Sequence, residues 1–247
     1  MCEEATRSRV LVVGATGRLG GCLVRASLAA GHPTFALVRP HHLAVPDSAP
    51  LTSLAGATVV KGSLEDYPSL LEAVRQVDVV ICAVPTKQAL EQKLLIRAIK
   101  DAGCVKPGLD APPRDEVKIF GDGNTRGVFV EETDVAKFTI CTIDDPRTLN
   151  NTLYLRPSGN VYSMNKLVDL WEKKINKFLN KIYITEEQLL KNIEDAPLPL
   201  KMDLIFIYST FIKGDQTYFE IDSRKEGTQL YPHVNYTTVD GYLDKLV

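Results

Sequence analysis

The stretch Arg9-Val10-Leu11-Val12-Val13 passes directly into Gly14-Ala15-Thr16-Gly17-Arg18-Leu19-Gly20, and no other feature constrains the fold of this chain as much. A short apolar run rich in β-branched residues, without polar alternation, reads as a parallel strand buried on both faces. After Gly20 the residues Leu23, Val24, Ser27 and Leu28 recur at helical spacing. The helix is then stopped by Gly31-His32-Pro33, a glycine C-cap followed by a proline. Thr34–Val38 supplies a second strand. Strand, glycine turn, helix and strand in this order form the context in which such glycines hold a nucleotide. Gly14 permits the tight turn, Gly17 admits the pyrophosphate to the backbone, and Gly20 lets the helix pack close to the sheet. The N–H groups at the helix start face the phosphates.

The alternation continues. Thr58-Val59-Val60 reads as a third strand, followed by a helix with Pro68 early in it and Leu70, Leu71 and Val74 on one face. Val77–Val84 is a fourth and very apolar strand, and Leu90, Leu94, Leu95, Ala98 and Ile99 mark a helix ending at Gly103. Strands alternating with helices predict an α/β fold, a Rossmann-type doubly wound parallel sheet with the first strand in its middle. The sheet is truncated after four strands, because the alternation stops at Lys106. Pro107-Gly108-Leu109-Asp110-Ala111-Pro112-Pro113 breaks it. The division expected is residues 1–106 as an NADP-binding Rossmann half and 107–247 as a smaller C-terminal α+β substrate lobe, the two packing as one unit. Within the lobe, strands are predicted near Val117–Phe120, Gly127–Val130, Thr152–Arg156 and Lys181–Ile184. Helices are predicted near Thr133–Ile143, Met164–Phe178 and Glu186–Ile193. The aromatic stretch Ile205 to Phe211 reads either as a pocket lining or as an ordinary helix core.

Which dinucleotide the turn takes is decided at the end of the second strand, where an acidic residue would bind the ribose 2′-hydroxyl of NAD. This chain has Arg39 there. A guanidinium grips a 2′-phosphate bidentately and a carboxylate would repel it, so Arg39 favours NADPH; the alternative is a solvated loop arginine. Arg18 adds positive charge inside the turn. The cofactor-binding set is therefore Gly14, Ala15, Thr16, Gly17, Arg18, Leu19, Gly20 and Arg39.

A formal charge of -2, from 29 basic and 31 acidic residues, leaves no basic stripe for nucleic acid. The opening residues are unlike a signal peptide, and no apolar run approaches a membrane span, so a cytoplasmic protein is expected. The five cysteines are odd in number and lack a Cys-x-x-Cys pair; they read as reduced thiols, with Cys22 and Cys82 as small buried hydrophobes. The neighbours His41 and His42 diverge in direction and have no carboxylate or thiol close by, so no metal is expected.

Taken together, the Val10–Gly20 segment, Gly31-His32-Pro33-Thr34, Val77–Ile81 and Ala98–Gly103 resemble plant isoflavone reductase-like proteins. This is an NmrA-like group of atypical short-chain dehydrogenases that includes the phenylcoumaran benzylic ether and pinoresinol-lariciresinol reductases. The second half resembles the group independently, through Gly121-Asp122-Gly123-Asn124, Asp144–Asn150, Leu170–Lys174, Leu230-Tyr231-Pro232 and Tyr236–Asp240. Gly214-Asp215-Gln216-Thr217 leans toward the benzylic ether reductases. The resemblance implies NADPH-dependent reduction of a small phenylpropanoid-derived substrate, a lignan, neolignan or isoflavonoid. It also implies a plant source, and it leaves a homodimer open.

The resemblance breaks in two places. The group's second phosphate-contacting lysine, in the loop after the second strand, has no counterpart between Pro40 and Pro50, which implies weaker NADPH binding than the glycine turn alone suggests. In the group, the segment corresponding to Val105-Lys106 runs on into a fifth strand, then a helix carrying the catalytic lysine, then a further strand. Here Pro107 follows at once, a loss on the order of two βα units. No residue matches the catalytic position, and no catalytic residue is carried across; Lys87, just past the fourth strand, is the weak candidate for a proton donor. The expected function is thus an NADPH-dependent reductase impaired by the missing segment. The alternatives are a non-catalytic NADP(H)-binding protein, or a splice form or incomplete gene model of such a reductase.

Overall fold

The computed structural model of the chain describes residues 7–40, 54–84, 112–197 and 200–247. They fall into two compact units, Met1–Pro107 with Glu132–Leu149, and Gly108–Glu131 with Asn150–Val247.

The first unit is built on four parallel strands, β1 (Val10–Val13), β2 (Thr34–Val38), β3 (Thr58–Lys61) and β4 (Val79–Cys82), in the order β3-β2-β1-β4. The first strand does lie inside the sheet. All four residues of β1 are buried, and they alternate between two apolar layers. Val10 and Val12 meet Leu19, Leu23 and Val24 of helix α1 (Arg18–Ala29). Leu11 and Val13 meet Leu70 and Ala73 of helix α2 (Tyr67–Val74). A strand with helices on both faces has no polar side to show, which is why its sequence is uninterrupted. Each fully buried side chain of this kind contributes roughly 1.5–3 kcal/mol.

One helix sits where the sequence reading did not put it. Helix α3 (Glu132–Cys141), assigned from sequence to the C-terminal lobe, belongs to the first unit and packs along α1. Ala136 is fully buried in the same apolar layer as Val10 and Val24, with Val135 and Ile143 beside it. That layer needs a cover, and a helix from more than a hundred residues away provides it.

The second unit holds a parallel pair, β5 (Glu116–Phe120) with β8 (Asn180–Ile184), and an antiparallel pair, β6 (Arg126–Val128) with β7 (Val161–Ser163). Its core joins Ile119, Val168, Trp171, Leu179, Val239 and Leu243. Helix α4 (Met164–Ile175) starts on Ser163, whose hydroxyl accepts from the Lys166 N–H, and ends on Asn176 at φ 50°. The left-handed asparagine closes it before the predicted end at Phe178. The buried Glu172 carboxylate accepts the Leu179 N–H at 2.7 Å and pairs with Lys181 at 3.1 Å, fixing the turn into β8. Helix α5 (Glu186–Asp195) carries a complete capping box between Thr185 and Gln188. Helices α6 (Leu200–Tyr208), α7 (Gly227–Leu230) and α8 (Val239–Asp244) follow.

Two further expectations are corrected. Thr152–Arg156 is not a strand: only Tyr154 makes a bridge, to Glu226, with its N–H and carbonyl bonded to Lys225 and Gly227. Pro157 follows and cannot donate to a ladder. The stretch from Ile205 to Phe211 is helical but is no core helix, for α6 has no buried residue. It continues into a π-turn over Ser209–Lys213, where Phe211 lies 6.2 Å from Phe129.

Candidate functional site

At the carboxyl end of the sheet, register brings the candidate site residues together. Val13 lies level with Leu37 of β2 and with Cys82 of β4. Gly14 therefore leaves the sheet beside Ala83, and Arg39 leaves it one residue past the end of β2. The strand order reverses between β1 and β4, the place where open α/β sheets leave a crevice for ligands.

The three glycines do different work. Gly14 has φ +83°, and a Cβ there would sit 2.3 Å from the Ala83 carbonyl oxygen. Both the turn and the neighbouring strand thus exclude a side chain. A Cβ at Gly20 would lie 2.0 Å from the Gly14 carbonyl oxygen, so α1 can start only by lying directly on the turn. Gly17 is under no such constraint: its φ is -81° and a Cβ would meet nothing nearer than that same oxygen at 3.3 Å. The Gly17 N–H donates to the Gly14 carbonyl at 3.0 Å and closes the turn.

Burial separates the turn into two sets. Ala15 and Leu19 point into the core, so they can offer a ligand only backbone. Thr16, Gly17 and Arg18 are on the open side. Gly17 is the N-cap of α1, and no side chain caps it; α2 likewise starts uncapped on Asp66, whereas α4, α5 and α8 are capped by Ser163, Thr185 and Thr238. The first-turn N–H groups of a helix have no intrahelical acceptor. An uncapped, glycine-started helix at a sheet's carboxyl edge has the donors and the partial positive charge that a pyrophosphate requires. The residues present therefore fit a dinucleotide.

Sequence reasoning did not single out Glu132. Its carboxylate, in the first turn of α3, pairs with the Arg18 guanidinium at 3.3 Å. Arg18 is thus shared between the turn and α3 and is not simply an additional cation. No local signal identifies a partner 114 positions away in the sequence. The Cys82 thiol, at the end of β4, is pushed up to about 11 by burial and is no nucleophile at neutral pH. At the opposite end of β4, the Arg9 guanidinium and backbone N–H hold the Asp78 carboxyl down at about 2.

Lys87 lies outside the described residues, as do His41, His42 and the Lys106–Pro107 junction. Among the described residues no group of three or more histidine, cysteine or carboxylate side chains could hold a metal ion, and no helix is long and apolar enough to cross a membrane.

The profile of the NmrA-like family matches residues 6–107 and 106–243. The chain belongs to the NmrA-like family. A probable pinoresinol-lariciresinol reductase of Arabidopsis thaliana is 48% identical to this NmrA-like chain, with all of both chains covered. A phenylcoumaran benzylic ether reductase of Ginkgo biloba is 42% identical, covering 98% of this chain and 99% of the relative. Among solved structures, AtPrR2 with NADP+ and (+)pinoresinol superposes with a TM-score of 0.85 at 33% identity, covering 98% of this chain and 99% of that one. The leucoanthocyanidin reductase–NADPH complex of Vitis vinifera gives 0.85 at 30% identity, over 96% and 99%.

The two family matches meet at Lys106–Pro107. The Arabidopsis alignment runs over 308 positions against the 247 residues here, so the relative carries roughly 60 positions with no counterpart in this chain. The internal deletion after Lys106, read from the sequence, is therefore a property of the chain.

Proposed function

We propose that this chain is an NADPH-dependent reductase of phenylpropanoid-derived substrates by descent, with its glycine-rich pyrophosphate turn intact and its catalytic step impaired. The observation that carries the reading is the Gly14–Gly20 turn, where α1 starts uncapped on Gly17 at the carboxyl edge of the sheet. Backbone N–H groups of Arg18, Leu19 and Gly20 hold the pyrophosphate; Gly17, whose own N–H closes the turn, leaves room for its approach, and Gly14, Ala15 and Thr16 complete the wall of the turn. Arg39, exposed past β2, takes the 2′-phosphate as a bidentate partner and sets the preference for NADPH over NADH. Bound NADPH would supply a hydride.

The missing part is the proton donor. Proton transfer by a positioned side chain accounts for about 10²–10⁴-fold of rate. In the isoflavone reductase-like group that donor is a lysine on the segment that this chain lacks. The resemblance to AtPrR2, solved with (+)pinoresinol, supports a lignan as the ligand to test first.

The decisive assay follows NADPH absorbance with pinoresinol, and with a neolignan, for the chain as it is and for a chimera. The chimera carries the Arabidopsis relative's intervening segment between Lys106 and Pro107. The expected result is background oxidation by the chain and turnover by the chimera. Turnover by the unmodified chain at an ordinary enzyme's rate, about 10 per second, would overturn the impairment. Failure of NADPH to bind either protein would overturn the cofactor assignment.

A further inference from the structure

The two edges of the four-stranded sheet differ in kind. At one edge β3 runs Thr58-Val59-Val60-Lys61, with Thr58, Val59 and Lys61 exposed. A lysine on an edge strand discourages the addition of another strand. At the other edge β4 runs Val79-Val80-Ile81-Cys82, without a charge, a proline or a glycine. That is the composition of an interior strand. Yet its four residues are only half-buried, where those of β1 are sealed.

Hydrogen bonds fix which backbone groups of β4 are committed. The Val79 N–H donates to the Arg9 carbonyl at 3.0 Å, and the Ala83 N–H to the Val13 carbonyl at 2.8 Å. Since successive residues of a strand alternate in direction, the N–H and carbonyl of Val80 and of Cys82 point away from β1. Among the described residues no strand pairs with that side. The chain also lacks the segment that its relatives carry C-terminal to this strand.

We propose that the outer edge of β4 is a dimer interface for a second copy of this chain. The two β4 strands pair antiparallel about a two-fold axis at Ile81, and their two sheets become one of eight strands. Antiparallel residues that exchange both hydrogen bonds stand directly opposite each other. The outward-facing groups meet in one register, Val80 opposite the partner's Cys82 and Cys82 opposite the partner's Val80, with Ile81 on the axis. In that register Asp78 lies opposite the partner's Val84, and no like charges meet. The two apolar layers continue across the seam, because Val79 and Ile81 share the face of α1, and Val80 and Cys82 the face of α2.

The edge favours its own copy over a foreign strand because it is self-complementary and carries no polar group that would select another sequence. The contact closes at two copies. The remaining edge, β3, is guarded by Lys61, so pairing does not propagate into a fibre.

The test is the mass of the purified full chain by light scattering across a micromolar concentration series. The expected species is a dimer. Val80→Pro removes an outward-facing N–H at a position where an edge strand tolerates proline, and should halve the mass while leaving the circular dichroism unchanged. If Val80→Pro does not fold, Ile81→Cys decides. In the proposed register the two substituted positions form a non-hydrogen-bonded pair with Cα atoms about 4.5 Å apart, within the span of a disulfide. Oxidation with copper phenanthroline should then cross-link the Ile81→Cys chains and not the unmodified ones. A monomer throughout the series, higher oligomers, or a dimer that survives Val80→Pro and does not cross-link at position 81 would overturn the proposal.

Discussion

A Cβ added at Gly20 would lie 2.0 Å from the carbonyl oxygen of Gly14. The helix that follows the glycine turn therefore rests on the turn's own backbone, and Gly20 cannot acquire a side chain without moving Gly14. Gly20→Ala forces backbone apart in a packed region, at about 3 kcal/mol or more. Chemical denaturation should show that loss together with loss of NADPH binding. Gly17→Ala separates the two effects. Its backbone is in a conformation any residue adopts and its Cβ meets only the edge of the same carbonyl, so stability should fall by about 1 kcal/mol or less. Cofactor affinity should nevertheless drop, because the methyl group occupies the open side of the turn.

Much of this turn was legible in the sequence. The run Val10–Val13, the spacing of the glycines and the stop at Gly31-His32-Pro33 are local signals. The interior place of β1 in the sheet and part of the buried face of α1, Leu23, Val24 and Ser27, followed from them. What was not legible was long-range. Nothing around Glu132 indicates that α3 covers α1, or that its first carboxylate takes up Arg18, because both follow from an apolar layer that must be closed by whatever chain is available. Thr152–Arg156 misled for the opposite reason: its β-branched and aromatic residues suit a strand, but Pro157 and the bonds of Tyr154 to Lys225 and Gly227 leave a single bridge.

Arg39→Glu tests cofactor choice. Losing a charge-assisted bidentate partner is worth about 1.5–3 kcal/mol, and the introduced carboxylate repels the 2′-phosphate. NADPH affinity should fall by roughly 10- to 100-fold or more, with NADH affected far less. Equal losses for the two cofactors would place Arg39 outside the 2′-phosphate site.

The Arg9–Asp78 pair at the start of β4 carries a pH dependence. Asp78 has its pKa lowered to about 2 by the Arg9 side-chain hydrogen bonds and, next, by the Arg9 backbone N–H. A folded-state pKa below the ordinary 3.8 means that the pair stabilises the fold at pH values above about 4. This stabilisation is lost as pH falls from about 4 toward 2. Asp78→Asn should be less stable than the unmodified chain at pH 7, and the difference should vanish near pH 2. Urea unfolding at the two pH values checks this; a difference that persists at pH 2 would assign the effect to packing.

Burial raises the Cys82 thiol from 9.0 to about 11. At pH 8 the thiolate fraction is then about two orders of magnitude below that of an ordinary cysteine. Iodoacetamide followed by peptide mass analysis should label Cys82 slowly in the folded chain and readily in urea. Fast labelling of the folded chain would show that β4 opens.

The central claim is that the glycine turn and Arg39 still bind NADPH in a chain that lacks roughly 60 positions of its relatives. An equilibrium titration with NADPH, read by the fluorescence of the bound nicotinamide, tests it most directly. Saturable one-to-one binding by the unmodified chain, abolished in Gly20→Ala and much weakened in Arg39→Glu, is the predicted result. A folded chain that shows no saturation, or one whose binding is indifferent to both substitutions, would contradict it.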